Sequence, residues 1–273
     1  MTTDFIYAAN IMREIQALEK QDVPLAENTI IMNKIEQLRL IIKDVVIRFH
    51  ENGCISKEIW YNNGVVSRAD APAIVIYYDN GAINEENWFE NGKLHCPSGA
   101  PAVTIYYKSG NIFSQKWFEH GKEHRIGAPY IIAYYKNGNV MGEEWHQCGK
   151  KHRADGPSIV RYNEDGKICE EGWYIDGQLH REHEPASTIY YNTGNVKTHH
   201  WYIRGIKYRD GGGPEQVNYY ENGTIKEELK FTNERIKYLD TLKYINEKLQ
   251  YVDKYDESGH LDVRIQVIHG FNN

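Results

Sequence analysis

Apolar positions in the middle of the chain fall in short alternating runs, not helical stripes. Residues 102–107 (AVTIYY) are β-branched and aromatic and predict a strand. Lys108-Ser109-Gly110 predicts a tight turn, and residues 111–118 (NIFSQKWF) predict the returning strand. Glu119-His120-Gly121 predicts a second turn, followed by a short polar strand over 122–125. A Gly-Ala-Pro corner then opens the next copy, at a place where the missing N–H of Pro129 does no harm. Other copies carry Asn-Gly at these turns, as at Asn80-Gly81, Asn91-Gly92 and Asn222-Gly223, a strong hairpin signal.

The pattern recurs. Trp60, Trp88, Trp117, Trp145, Trp173 and Trp201 are separated by 28, 29, 28, 28 and 28 residues. Pro72, Pro101, Pro129, Pro157, Pro185 and Pro214 keep nearly the same beat, as do one glycine series from Gly53 to Gly223 and another from Gly64 to Gly205. Four residue series in one register identify a repeat architecture. One hairpin cannot bury its own face and stacked hairpins can, so a mainly β, elongated, single-layer array of six copies is expected over residues 44–236.

Within a copy, a Tyr stands four residues before the first glycine (Tyr77, Tyr106, Tyr134, Tyr162, Tyr190, Tyr219). A β-branched residue stands two before it and Ile or Val two after the glycine. Counting by strand alternation puts these three on one face and puts Trp, with Glu58, Glu86, Glu143 and Glu171 two residues before it, on the other. A bulge would reverse that assignment.

The segments Trp88-Phe89-Glu90-Asn91-Gly92-Lys93-Leu94-His95 and Trp173-Tyr174-Ile175-Asp176-Gly177-Gln178-Leu179-His180 resemble MORN repeats. They are closest to a variant with tandem Tyr-Tyr-x-Asn-Gly and Trp-Tyr-x-Asn-Gly elements, similar to repeats in bacterial antitoxin-like proteins and in proteins of large DNA viruses of amoebae. The unit is longer than the common motif, and His-Arg-x-x-Gly-Pro replaces its His-Gly-x-Gly. The resemblance implies a hairpin array used for protein–protein contact, scaffolding or self-association, with attachment to phospholipid membranes in some members. An Asn-, Ile-, Lys- and Tyr-rich composition suits a viral source of that kind.

The ends differ from the array. Ala8, Ile11, Ile15 and Leu18 share one helical face over residues 4–20, capped by Thr3 or Asp4 and broken by Asp22-Val23-Pro24. A second helix is expected from Ala26, with Ile31, Ile35 and Leu38 on its apolar face. Residues 1–43 are therefore a helical cap over the first open sheet edge, or a helical pair for dimerisation or partner docking. After Gly223 the pattern decays, with Lys230 where Trp is due. Residues 237–273 are read as a C-terminal cap, ambiguous between helix and strand over 237–250 and ending in a hairpin around Glu257-Ser258-Gly259.

Charge and composition narrow the function. The formal net charge of −6 argues against a nucleic-acid surface and makes lipid a weaker partner than protein. Cys54, Cys96, Cys148 and Cys169 form no Cys-x-x-Cys pair, so a zinc knuckle is not expected and a reducing compartment is. No basic leader or long apolar run appears, and the expected location is the cytoplasm, or a host cytoplasm or virion for a viral protein.

His95, His124, His152 and His180 recur once per copy, about 10 Å apart by strand spacing, too far to share one metal, so hydrogen bonding across turns is the expected role. His199-His200 point to opposite faces. The Glu58, Glu86, Glu143 and Glu171 series, with Arg125, Arg153, Arg181 and Arg209, is either a repeated binding surface or a ladder of exposed ion pairs. The Trp series either packs copies together or stacks a sugar or base. No glycine loop for phosphate and no nucleophile cluster breaking the repeat is found, so neither enzyme nor cofactor is expected. The expected function is a scaffold for a protein partner or for a homo-oligomer, with lipid and carbohydrate binding as alternatives.

Overall fold

The computed structural model describes residues 3–21, 31, 33–35, 44–125, 127–238 and 241–266. It is mainly β, with antiparallel pairing and few helices. The chain divides into two compact units, Met1–Lys122 and Glu123–Asn273.

In the first unit the helix Thr3–Glu19 supplies Ile11 and Ile15, and helical backbone at 31 and 33–35 supplies Ile35. These pack on Val45 and Ile47 of strand Val45–Phe49 and on Val75 and Tyr77 of strand Ile74–Tyr77. Each such side chain contributes about 1.5–3 kcal/mol of burial. The helices therefore lie on a sheet face, a correction to the expected edge cover. The alternation of Val45 and Ile47 explains it, because it leaves an apolar stripe on that face. Ala26 and Leu38 lie outside the described residues, as does the Asp22-Val23-Pro24 break.

The main sheet of this unit is a meander. Strands Val45–Phe49, Ile55–Asn62, Ile74–Tyr77, Ile83–Asn87, Val103–Tyr106 and Ile112–Lys116 each pair with the next. The second unit continues in the same style from Ile131–Tyr134 through strands Val140–Glu144, Ile159–Tyr162, Ile168–Gly172, Ser187–Tyr190, Val196–His200 and Gln216–Tyr219. It closes with Ile225–Tyr238, Thr241–Tyr255 and Leu261–Gln266. The ambiguous segment is thus strand where described, and strand Ile225–Tyr238 runs across the expected boundary at 236–237. Lys230 fills the place of Trp by donating to the carbonyls of Gly212 (3.0 Å) and Gly213 (2.6 Å) and to Glu215 Oε1 (2.9 Å).

The predicted return strand is two elements. From Trp88 onward it stops before each Trp, and the residues after Trp join a separate two-stranded hairpin, Phe89–Glu90 with Lys93–Leu94 for example, whereas in the first copy strand Ile55–Asn62 runs through Trp60. The Trp backbone divides the two: Trp88 N–H donates to Ala102 of the next copy, while its carbonyl accepts from His95 N–H. The two hairpins use Asn-Gly differently. In the small one both Asn91 (φ 49°) and Gly92 (φ 75°) are left-handed, the two-residue turn that matches strand twist. In the large one only Gly81 (φ 81°) is, and its N–H bonds back to Tyr78.

A bulge follows each large turn. Ile76 pairs with Glu85 but Tyr77 pairs with Ile83, which leaves Asn84 as an extra residue. The same slip occurs at Tyr106, Tyr134, Tyr162, Tyr190 and Tyr219. This corrects the expected faces. Glu86 lies opposite Val75 and so joins the Tyr face, while Ile83, paired with Tyr77, keeps the place on that face expected for it.

Candidate functional site

The recurrent Glu residues are built into the sheet. Glu58 is only 4% exposed, and its carboxylate accepts from the Tyr77 hydroxyl at 2.5 Å and from Trp60 Nε1–H at 2.8 Å. Glu86 accepts from Tyr106 (2.6 Å), Glu143 from Tyr162 (3.3 Å) and Glu171 from Tyr190 (2.7 Å). Each bond joins one copy to the one before. Burial, aided by the neighbouring carboxylate, raises the Tyr77 and Tyr106 hydroxyls well above their ordinary range and pushes Tyr190 up to about 12. The second Tyr of the tandem points the other way. Tyr78 donates to the Tyr106 carbonyl (2.8 Å), Tyr135 to that of Tyr162 (2.9 Å) and Tyr191 to that of Tyr219 (2.8 Å). The tandem thus grips both neighbours.

The recurrent Arg residues occupy the corners. The guanidinium carbon of Arg153 lies 4.1 Å from the Trp145 ring centre, that of Arg181 3.9 Å from Trp173, and that of Arg209 4.0 Å from Trp201. Arg125, Arg153, Arg181 and Arg209 each donate to a corner proline carbonyl, at 3.5, 3.4, 3.4 and 3.3 Å. The expected Glu–Arg ion-pair ladder is therefore replaced by two separate sets of contacts, Glu on Tyr and Arg on Trp. Opposite charges repeating in one period suggest pairing with each other, and an uncharged hydroxyl gives no such signal, so spacing alone does not mark Tyr as the partner of Glu. Stacking on Trp leaves clefts between successive corners: one of about 430 Å³ between Arg153 and Arg181, beside Trp173 and His180, and one of about 310 Å³ between Arg125 and Arg153, beside Trp145.

The recurrent His residues play the expected part at two positions: His152 Nδ1 accepts from Asp176 N–H at 3.3 Å and His180 Nδ1 from Arg204 N–H at 3.2 Å. His95 does not. Its Nδ1 is buried without a partner, and its ring stacks on His120, with centres 4.4 Å apart. Glu90, His95 and His120 are the group of possible metal ligands found among the described residues, with ligand atoms within 4.8 Å of one another. His120 lies outside the recurrent His series, so sequence spacing could not place it there.

One further feature had no sequence signal beyond its alternation. Strand Leu261–Gln266 pairs only with Thr241–Tyr255 among the described residues. Every residue of it is exposed, including Leu261 (52%), Val263 (40%) and Ile265 (46%), which alternate along one face. No helix among the described residues is long and apolar enough to cross a membrane. Comparison with family models and with curated protein sequences finds no match to the chain.

Proposed function

We propose that this chain is a non-enzymatic, MORN-like repeat scaffold that self-associates by pairing the strand Leu261–Gln266 with its counterpart in a second copy. The carrying observation is that exposed strand. An unpaired strand edge offers a row of N–H and C=O groups to another chain, and natural proteins normally blunt such edges. Here the edge is instead apolar on one face and self-complementary in charge. An antiparallel pair about a two-fold axis through Val263 sets Leu261 against Ile265 of the second copy, and Asp262 against Arg264. Arg264 is already held on its own chain by Asp253, at 2.6 Å through Nε, so its guanidinium is oriented in advance. Internal ladders of Tyr, Glu, Trp and Arg support the scaffold reading, because they commit the recurrent side chains to holding copies together.

Sedimentation velocity of the full chain over a range of concentrations tests this. The expected result is a monomer–dimer equilibrium that Val263→Lys abolishes and Asp262→Arg weakens, with unchanged circular dichroism. A wild-type chain that stays monomeric throughout, or a Val263→Lys variant that dimerises as well as wild type, would overturn the proposal.

A further inference from the structure

The first small hairpin after Trp88 departs from the repeat in three linked ways. Its corner is one residue longer than that of the following copy, because Trp88 and Trp117 are 29 apart. Cys96 takes the position of the corner Arg and is buried (4% exposed), with its Sγ 3.2 Å from Ser98 Oγ. The His95 ring lacks the backbone bond that its counterparts His152 and His180 receive.

A specific contact brings His120 to it. Gly121 N–H donates to the Leu94 carbonyl at 2.9 Å, which seats the next turn against residues 94–95. His120 is the first residue of that turn, with φ 46°, and its side chain is 65% exposed. Glu90, on the same small hairpin as His95, directs a carboxylate oxygen to within 3.7 Å of His95 Nε2 and 3.9 Å of His120 Nδ1. Both separations exceed hydrogen-bonding distance. Three strong donors thus converge without bonding one another.

We propose that Glu90, His95 and His120 bind one divalent d-block cation, with Zn²⁺ the candidate. Two imidazoles and a carboxylate suit zinc, nickel or copper and do not suit Ca²⁺ or Mg²⁺, which take oxygen ligands. Around an ion with bonds of about 2.0–2.1 Å, tetrahedral ligand atoms stand about 3.3 Å apart, so the cluster must draw in from its present spacing. Stacked rings cannot both aim at one ion. Rotation of the exposed His120 supplies the change, while His95 and Glu90 stay on the hairpin. Three protein ligands leave a fourth position for solvent or for a donor from another molecule. The ion would clip the turn of one copy to the hairpin of the copy before, where the Arg–Trp corner is missing. This site is independent of the edge pairing.

Calorimetric titration of the chelator-treated full chain with zinc chloride at neutral pH tests the site. One ion per chain is expected, with binding weakened by at least about tenfold in His120→Asn. Asn is already found at the equivalent turn position, Asn91 (φ 49°), so this variant keeps the backbone and its circular dichroism should match wild type. His183→Asn, at a surface His–Asp pair of 2.9 Å elsewhere, should bind as wild type. A Cu²⁺ titration followed by electron paramagnetic resonance should show two coupled nitrogens, reduced to one by His120→Asn. Binding undiminished in His120→Asn, its loss in His183→Asn instead, or no binding up to about 1 mM zinc would overturn the proposal.

Discussion

Two corners made from the same template solve the same problem differently. At the corner before Pro185, Arg181 lies flat on Trp173 and donates to the Pro185 carbonyl, so one cation closes the turn from above and from the side. At the corner before Pro101, Cys96 replaces that Arg, Pro97 and one added residue lengthen the path, and no cation lies over Trp88 among the described residues. The first corner is closed by polar groups that reach across the surface, the second by a small buried thiol. A repeat can therefore lose its signature contact at one copy provided that neighbouring copies hold the sheet. The position so released becomes the place where different chemistry gathers.

The hardest blow to this comparison falls on the ring. Trp201 is 7% exposed beneath Arg209, and Trp201→Ala should cost about 3–5 kcal/mol in chemical denaturation. Trp88→Ala, half-buried and bare, should cost clearly less; equal losses would show that the cation adds nothing to the regular corner. A middling effect is expected on restoring the template. Cys96→Arg should destabilise by about 1–3 kcal/mol, since position 96 is buried and a much larger side chain there overpacks the corner. A stabilised Cys96→Arg variant would mean that the odd corner is only a decayed regular one.

The smallest effect, nil at neutral pH, should be common to both regions because the Tyr–Glu ladder runs through each. A hydroxyl such as Tyr190, at about 12 in the folded chain and about 10 when unfolded, keeps its proton longer in the native state. Above pH 10 the unfolded chain then binds fewer protons than the folded one, so stability falls as pH rises and is fully present below pH 10. Tyrosinate absorbance should rise together with loss of β circular dichroism between about pH 10 and 12. Ionisation complete before any structural change would contradict the ladder.

Much of this fold was legible because the period is written in backbone-critical residues. Gly81 and Gly92 occupy left-handed positions, and Trp88 and Pro101 mark the junctions, so hairpins and copies followed from spacing. What escaped depended on a single residue. Asn84 and its counterparts shift the register by one, which turned Glu86 toward Tyr106 and away from the face expected for it. Phe89 follows Trp88 so smoothly that the small hairpin read as the end of a longer strand. Helix residues Ile11, Ile15 and Ile35 were found by their spacing, but no spacing tells a face from an edge. The Glu and Arg series invited pairing by charge, whereas burial decided their partners. His95 and His120 are 25 residues apart and belong to different positional series, so only the stacking of copies brings them together.

The direction of the tandem tyrosines has a genetic consequence. Tyr106 reaches back to Glu86 and Tyr78 reaches forward to the Tyr106 carbonyl, and the same pair of contacts recurs at Tyr190 on Glu171 and Tyr191 on the Tyr219 carbonyl. Stability of such an array is close to a sum over neighbouring pairs. A duplication of one whole copy that carries both the Tyr pair and the Glu, 28 codons in frame, would regenerate these contacts at the new junction. Loss or gain of a few codons inside a strand would break two ladders at once, while the added residue before Pro101 was tolerated because corners lie outside both. The gene can therefore change length in whole steps and drift only at the corners.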